Sequence, residues 1–288
     1  MSDDSYPPLP EALTVGVYDN HTHLEPFGNE LKGQLDYREH LDRASSVGVR
    51  GVVQVGGDLV SSRWSAEIAA REPRVLAAVA LHPNEAPRYA AAGELHDALA
   101  EIDELASRPR VRAVGETGLD YFRTEGDDLR FQHESFEAHI DIAKKHGIAL
   151  QIHDRDAHDD VIETLLRVGA PEHTVFHCFS GDAAMARVAA DHGWYLSFAG
   201  TVTFKNAGYL REALEVIPRS RILVETDAPY LSPHPLRGRP NAPYLIPVTL
   251  RAMAAHLETD VTMLAAQVTS NTEEVYGTWD SEPVVVDD

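Results

Sequence analysis

His21 and His23 lie two residues apart in Asp19-Asn20-His21-Thr22-His23, just after the apolar alternation at Val15, Val17 and Tyr18. In an extended strand, side chains two apart share a face. The two rings therefore project together from a strand end, and imidazole is the commonest metal-binding side chain. Alone, such a pair is more often exposed or hydrogen-bonded than metal-bound. Further donors recur along the chain: His82 in Leu81-His82-Pro83-Asn84, Glu116 in Gly115-Glu116-Thr117-Gly118-Leu119-Asp120, His153 in Gln151-Ile152-His153-Asp154-Arg155, His177 in Phe176-His177-Cys178-Phe179, and Asp227 in Glu225-Thr226-Asp227. Taken singly, His153 and His177 read as hydrogen-bonded core histidines, since a polar ring among apolar neighbours is otherwise costly. Glu116 and Asp227 read equally well as helix caps. Recurrence at so many comparable places is the argument for a metal site.

The donors follow short apolar, β-branched runs, which read as strands near 14–19, 49–55, 75–81, 111–115, 148–152, 173–178, 194–198 and 221–226. Helical stretches separate them, near 36–47, 61–71, 92–107, 127–146, 157–168, 182–192, 205–216, 244–258 and 260–276. The clearest helix opens on Asp127 and Asp128 and closes on Lys144, Lys145 and His146 before Gly147, the charge order that a helix dipole favours. Eight strands alternating with helices predict an α/β fold, a single-domain TIM (β/α)8 barrel, whose chemistry belongs at the C-terminal strand ends. An open doubly wound sheet is the alternative, without its G-x-G-x-x-G signature after the first strand. The expected organisation is an irregular lead-in over 1–10, a barrel over 11–277 and a tail over 278–288.

The 288 residues carry a net charge of −21, which argues against a protein that coats nucleic acid through many phosphate contacts. A phosphoesterase with a local basic rim stays open, because metals would neutralise part of the acidic charge. No apolar stretch is long enough to span a membrane, the acidic start lacks the features of a signal peptide, and the single Cys178 excludes an internal disulfide. The expectation is a cytoplasmic protein with no membrane association and no obligatory protein partner.

Four histidines and two carboxylates exceed what one tetrahedral zinc takes. Two divalent metals sharing a carboxylate fit the count, and such pairs activate a water and stabilise a leaving oxygen. Hydrolysis is the implied reaction, with no serine or cysteine nucleophile. Cys178 is expected to be a small buried residue facing away from the site. Mixed imidazole and carboxylate donors suit Zn, Mn, Fe or Ni better than Mg, which could still serve in activity.

At these residues the sequence closely resembles the TatD family of metal-dependent hydrolases, within the amidohydrolase superfamily. The likeness spans about 14–277, through Asp-x-His-x-His-Leu at 19–24, Gly-Glu-x-Gly-Leu-Asp at 115–120, His-x-Arg-x-Ala at 153–157, His-Cys-Phe-Ser-Gly at 177–181, Thr-Phe-Lys-Asn-Ala at 203–207 and Glu-Thr-Asp-Ala-Pro-Tyr-Leu at 225–231. The resemblance implies that His21, His23 and Asp227 hold one metal, His153 and His177 hold the other, and Glu116 bridges them. Glu116 stands where many superfamily relatives carry a carboxylated lysine. It further implies a deoxyribonuclease of the 3′→5′ exonuclease type, acting on single-stranded DNA or its ends, with Glu116 and Asp227 catalytic and Asp227 taking a proton from the metal-activated water.

Phosphate needs cationic partners, and Arg155, Lys205, Arg237 and Arg239 follow strands 5, 7 and 8, with Arg123 after strand 4. His82 is a candidate for phosphate or for a metal-associated water. Each cation reads alternatively as a solvated surface charge. The chain departs from the family's usual pattern at Ala80-Leu81-His82-Pro83-Asn84 and at Arg239-Pro240-Asn241-Ala242-Pro243, both in the expected substrate rim. Two other functions fit the same donors: hydrolysis of an amide, ester or lactone in a small molecule, and a non-catalytic metal-binding interaction protein.

Overall fold

The structure is a computed structural model that describes residues 5–26 and 35–279. Residues 1–4 of the expected lead-in and 280–288 of the expected tail lie outside the described residues. Eight strands form one parallel sheet in the order β1 to β8: Val17–Thr22, Val49–Val55, Val75–Val79, Val111–Asp120, Ala149–Arg155, Thr174–Phe176, Tyr195–Phe198 and Ile222–Val224. Thr22 at the end of β1 also bridges Ala228, just beyond β8. Strand order follows chain order throughout, whereas a doubly wound sheet reverses at a switch point. The fold is a (β/α)8 barrel.

Among the described residues, ten α-helices lie between and after the strands: α1 Tyr37–Ser46, α2 Leu59–Arg71, α3 Ala86–Ala92, α4 Leu95–Ala106, α5 Leu129–His146, α6 His158–Val168, α7 Ala183–Asp191, α8 Gly208–Val216, α9 Ile246–His256 and α10 Val261–Tyr276. Three elements depart most from the sequence expectation; β4, expected over 111–115, runs on to Asp120 and carries Glu116 within the strand. The helix expected over 92–107 is α4, which begins at Leu95, and the unexpected α3 precedes it and stops where Gly93 takes the left-handed conformation at φ 74°. The helix expected from 127 begins at Leu129, after a 3-10 turn over Gly126–Asp128, and ends at a left-handed Gly147 behind Lys144, Lys145 and His146.

By contact density the chain forms two compact units. The first comprises 1–54 and 181–274 and carries β1, β7, β8 and nearly all of β2. Here α10 supports the strand ends: Thr269 Oγ1 donates to the Gly16 carbonyl, and Asn271 Nδ2 to that of Ile222. The second unit comprises 55–180 and 275–288 and carries β3 to β6. Its β4 and β5 pair from Ala113↔Ala149 to Asp120↔Arg155. Arg110, 1% exposed, clamps the base of this unit by donating to the carbonyls of Ala69, Pro73, Val75 and Trp279.

Candidate metal centre

In the first unit, a buried carboxylate organises the end of β1 against the segment after β8. Asp19 accepts from the backbone N–H groups of His21 (3.3 Å) and Thr226 (2.9 Å) and from Thr226 Oγ1 (2.5 Å). Burial pushes its carboxyl up to about 8, against the pull of those hydrogen bonds. The Asp227 N–H donates to the His21 carbonyl at 2.9 Å, and Asp227 itself sits at φ 54°, an uncommon conformation for a residue with a Cβ. The result is a cluster of His21, His23 and Asp227. The His21 and His23 Nε2 atoms are 3.3 Å apart and lie 3.9 and 3.7 Å from Asp227 Oδ1.

That donor set fits a divalent cation. Two nitrogens bound at usual Zn–N lengths in a tetrahedral site are separated by about 3.3–3.4 Å, which matches the imidazole pair. The outer nitrogen of His23 faces Glu25 Oε1 at 3.7 Å, and Glu25 accepts from Gln54 Nε2 at 2.7 Å. A carboxylate behind a ligating imidazole is the usual orienting partner. Glu25 and Gln54 escaped the sequence reading, because neither belongs to a recurrent strand-end pattern.

In the second unit, glycine explains the spacing of Gly-Glu-x-Gly. A Cβ on Gly115 would lie 2.4 Å from Gln151 Cβ, and one on Gly118 (φ 135°) would lie 2.1 Å from the His153 carbonyl oxygen. Only glycine lets β4 approach β5 this closely, and the approach sets Glu116 among three imidazoles. Glu116 Oε2 is 2.9 Å from His177 Nε2, 3.2 Å from His153 Nδ1 and 3.8 Å from His82 Nε2. Burial would raise the Glu116 carboxyl, but the surrounding imidazoles hold it well below the usual carboxylate range, so it is ionised as a ligand must be. His153 Nε2 is buried without a hydrogen-bond partner, although Asp120 Oδ2 lies 3.3 Å away. A cation between that ring nitrogen and the Asp120 carboxylate would satisfy both.

His82 differs from the others. Its Nδ1 accepts the Asn84 N–H at 3.1 Å, so the neutral ring carries its proton on Nε2, the atom directed at Glu116. Burial lowers its pKa to about 3. A ring with Nε2 protonated offers that face as a donor. Behind the cluster, fully buried His139 accepts from the Leu81 N–H at 3.2 Å and pairs with Thr117 Oγ1 at 2.9 Å. It thus ties the residue before His82 to the residue after Glu116. Asp120, Asn84 and His139 were missed as site residues, since their partners come from distant segments or the backbone.

The expected substrate cations have specific settings. The Arg155 guanidinium lies 3.9 Å over the Phe122 ring, and that of Arg237 lies 4.0 Å over Phe204. Lys205 lines a cavity of about 320 Å³ in the first unit together with Arg211, His234 and His256. Arg123 is exposed, its backbone N–H held by Asp120 Oδ1 at 2.9 Å. Arg239 donates to the Ser5 and Tyr6 carbonyls, which makes it a clamp on the N-terminal segment. Cys178, expected to be buried, is half-buried instead, because β6 ends at Phe176 and Cys178 turns left-handed at φ 41°.

Residues 18–277 match the family model described as TatD related DNase. The chain belongs to the TatD family. It is 46% identical over 265 residues to the metal-dependent hydrolase TatD of Mycobacterium tuberculosis, covering 91% of this chain and 98% of the relative. It is 34% identical over 257 residues to the metal-dependent hydrolase YcfH of Escherichia coli, covering 88% and 93%. Among solved structures, the TatD homolog YJJV of Escherichia coli superposes with a TM-score of 0.80 at 25% identity, over 90% of this chain and 97% of that one. A TatD family hydrolase of Entamoeba histolytica has the same fold, with a TM-score of 0.78 at 19% identity, over 93% and 99%. TatD membership makes the protein a metal-dependent hydrolase. Among its described residues, no helix is long and apolar enough to cross a membrane.

Proposed function

We propose that this TatD-family hydrolase is a phosphodiesterase acting on nucleic acid, a deoxyribonuclease that trims single-stranded DNA from its 3′ end. The observation that carries the reading is the pair of imidazole and carboxylate clusters at the strand ends, His21, His23 and Asp227 in one and Glu116 between His153 and His177 in the other. His21, His23 and Asp227 would hold one divalent metal, and Glu116, His153 and His177 a second. Such ions, when bound, polarise phosphoryl oxygens and lower the pKa of an attacking water.

The protein's own groups supply the rest. Asp227 is part exposed, is acceptor-only when ionised, and takes the proton of the attacking water at Oδ1. Glu116, held ionised, fixes the orientation of the His153 and His177 rings. The His82 ring, with its proton on Nε2, offers a donor for a phosphoryl oxygen. Lys205 and Arg155 neutralise phosphates of the bound strand, the former as a point charge and the latter through its guanidinium edge. The hydrolase domain is assigned to 11–277.

Elemental analysis of the purified chain, followed by assays on end-labelled single strands with the metal identified, tests this reading. Two metal equivalents are expected, with His21→Ala or His153→Ala each losing one and Asp227→Asn cutting turnover by about 10²–10⁴-fold. Preference for uncharged esters or amides over phosphodiesters, unaffected by Lys205→Ala, would replace it with small-molecule hydrolysis. Two tightly held metals with no turnover of any substrate would point to a binding protein.

A further inference from the structure

Phe122 is 63% exposed, yet the loop that carries it is pinned at both ends. Asp120 Oδ1 accepts the N–H groups of Phe122 (3.0 Å) and Arg123 (2.9 Å). The Tyr121 N–H donates to the Arg155 carbonyl at 2.9 Å, and its hydroxyl donates to Asp160 Oδ2 at 2.5 Å. Thr124 Oγ1 donates to Asn84 Oδ1 at 3.0 Å. A loop held this firmly presents a large apolar ring to water by construction. One face of the ring is covered by the Arg155 guanidinium at 3.9 Å, and the exposure belongs to what that cation leaves open.

The platform adjoins the second cluster through one side chain. The Asp120 carboxylate that pins the loop with Oδ1 directs Oδ2 to within 3.3 Å of His153 Nε2. Arg155 lies two residues beyond His153 on β5, and the ladder sets it opposite Asp120. Ring and cations therefore stand next to the donors proposed for hydrolysis. In a chain of net charge −21, the exposed aromatic face has one arginine, Arg155, stacked on it and another, Arg123, next to it in the chain. The ligand unit that satisfies both is a planar ring attached to a phosphate.

We propose that Phe122 is a stacking platform for one nucleobase of the substrate strand, with Arg155 backing the ring and gripping the adjacent phosphate. The proposal rests on the nucleic-acid reading and goes beyond it, because it makes a base, and not only the backbone, part of what the site holds. Every base has a π-face, so the platform confers affinity for single strands with little sequence preference. A duplex, whose bases stack on one another, cannot use it. Pre-ordering of the loop limits the entropy lost on binding.

The test uses the full chain with its metal as purified and phosphorothioate-linked oligothymidylate, compared with an abasic strand of equal length, by fluorescence anisotropy at low ionic strength. Wild type is expected to favour the base-bearing strand by about 5- to 100-fold. Phe122→Ala should erase that preference while leaving abasic affinity unchanged. Phe122→Trp should keep the preference and show quenching of the added indole as the strand binds. Circular dichroism identical to wild type would confirm that these surface variants fold. Equal wild-type affinity for both strands, no binding of either, or a preference that survives in Phe122→Ala overturns the platform. Cleavage separates the two readings. Turnover of DNA with KM unchanged in Phe122→Ala sinks the platform alone, whereas base-dependent binding without turnover sinks the nuclease alone.

Discussion

Thr226 satisfies Asp19 twice, through its backbone N–H at 2.9 Å and its hydroxyl at 2.5 Å. The pair welds the His21–His23 segment to the Asp227 segment, so a substitution that touches neither imidazole nor Asp227 should still disturb the cluster. Thr226→Val keeps the shape and deletes the hydroxyl donor to a fully buried carboxyl. The expected cost is about 1–3 kcal/mol in urea unfolding, with metal affinity weakened about 10–100-fold. Unchanged metal retention during dialysis against chelator would refute the coupling.

Gly118 and Gly126 both have positive φ, but only the first faces an obstacle. Gly118→Ala drives a methyl to 2.1 Å from the His153 carbonyl oxygen, whereas Gly126→Ala meets nothing within 4 Å. The first should lose more than about 4 kcal/mol or fail to fold, and the second should lose about 1 kcal/mol. Thermal unfolding of the two variants side by side decides it; comparable losses would mean that β4 and β5 can separate without harm.

His139 carries a pH prediction. Burial lowers its pKa to about 4 from an ordinary 6.5, so the unfolded chain binds the extra proton first. The stability it contributes is fully present above pH 6.5 and is lost as pH falls through about 4. The loss reaches about 3 kcal/mol. His139→Gln cannot be protonated and should make the fall in stability between pH 6.5 and 4 shallower than in wild type. Urea midpoints that fall equally steeply in variant and wild type over that range would assign the acid sensitivity elsewhere.

Removal of metal should destabilise the folded chain, because each cluster gathers carboxylate and imidazole donors that a cation binds only when folded. At free metal 100 to 1,000 times Kd, each site contributes about 3–4 kcal/mol by mass action, on the order of 10 °C in Tm for a chain of this size. Calorimetry with and without chelator measures it. His153→Ala should retain only part of the metal-dependent shift, and a variant with the full shift would show that His153 is no ligand.

The strands and the strand-end donors were readable because each obeys a local rule. Val49–Val55 carries four valines, all buried as in a strand of a parallel sheet, and it spans the range its sequence predicts. The short helix α3 was hidden in an alanine-rich stretch that runs into α4, where only Gly93 marks the stop. Asp120, Asn84 and His139 were not readable as partners of the site. Asn84 Nδ2 meets Asp120 Oδ2 at 2.9 Å from another strand end, and His139 acts from α5 on backbone more than fifty residues away. Arg155 was readable as a cation near phosphate; its stacking on Phe122 depends on the β4–β5 register.

The hydrogen bond from Asp227 to His21 closes the first cluster with residues from opposite ends of the barrel sequence. On the ribosome, roughly 10 to 40 seconds separate the synthesis of these two residues at ordinary elongation rates. The second cluster draws its donors from 82 to 177 and is complete in the chain well before Asp227 is made. A nascent chain therefore holds the second cluster whole and only the imidazole pair of the first, and the two-metal centre proposed above would become complete only when the last strand arrives.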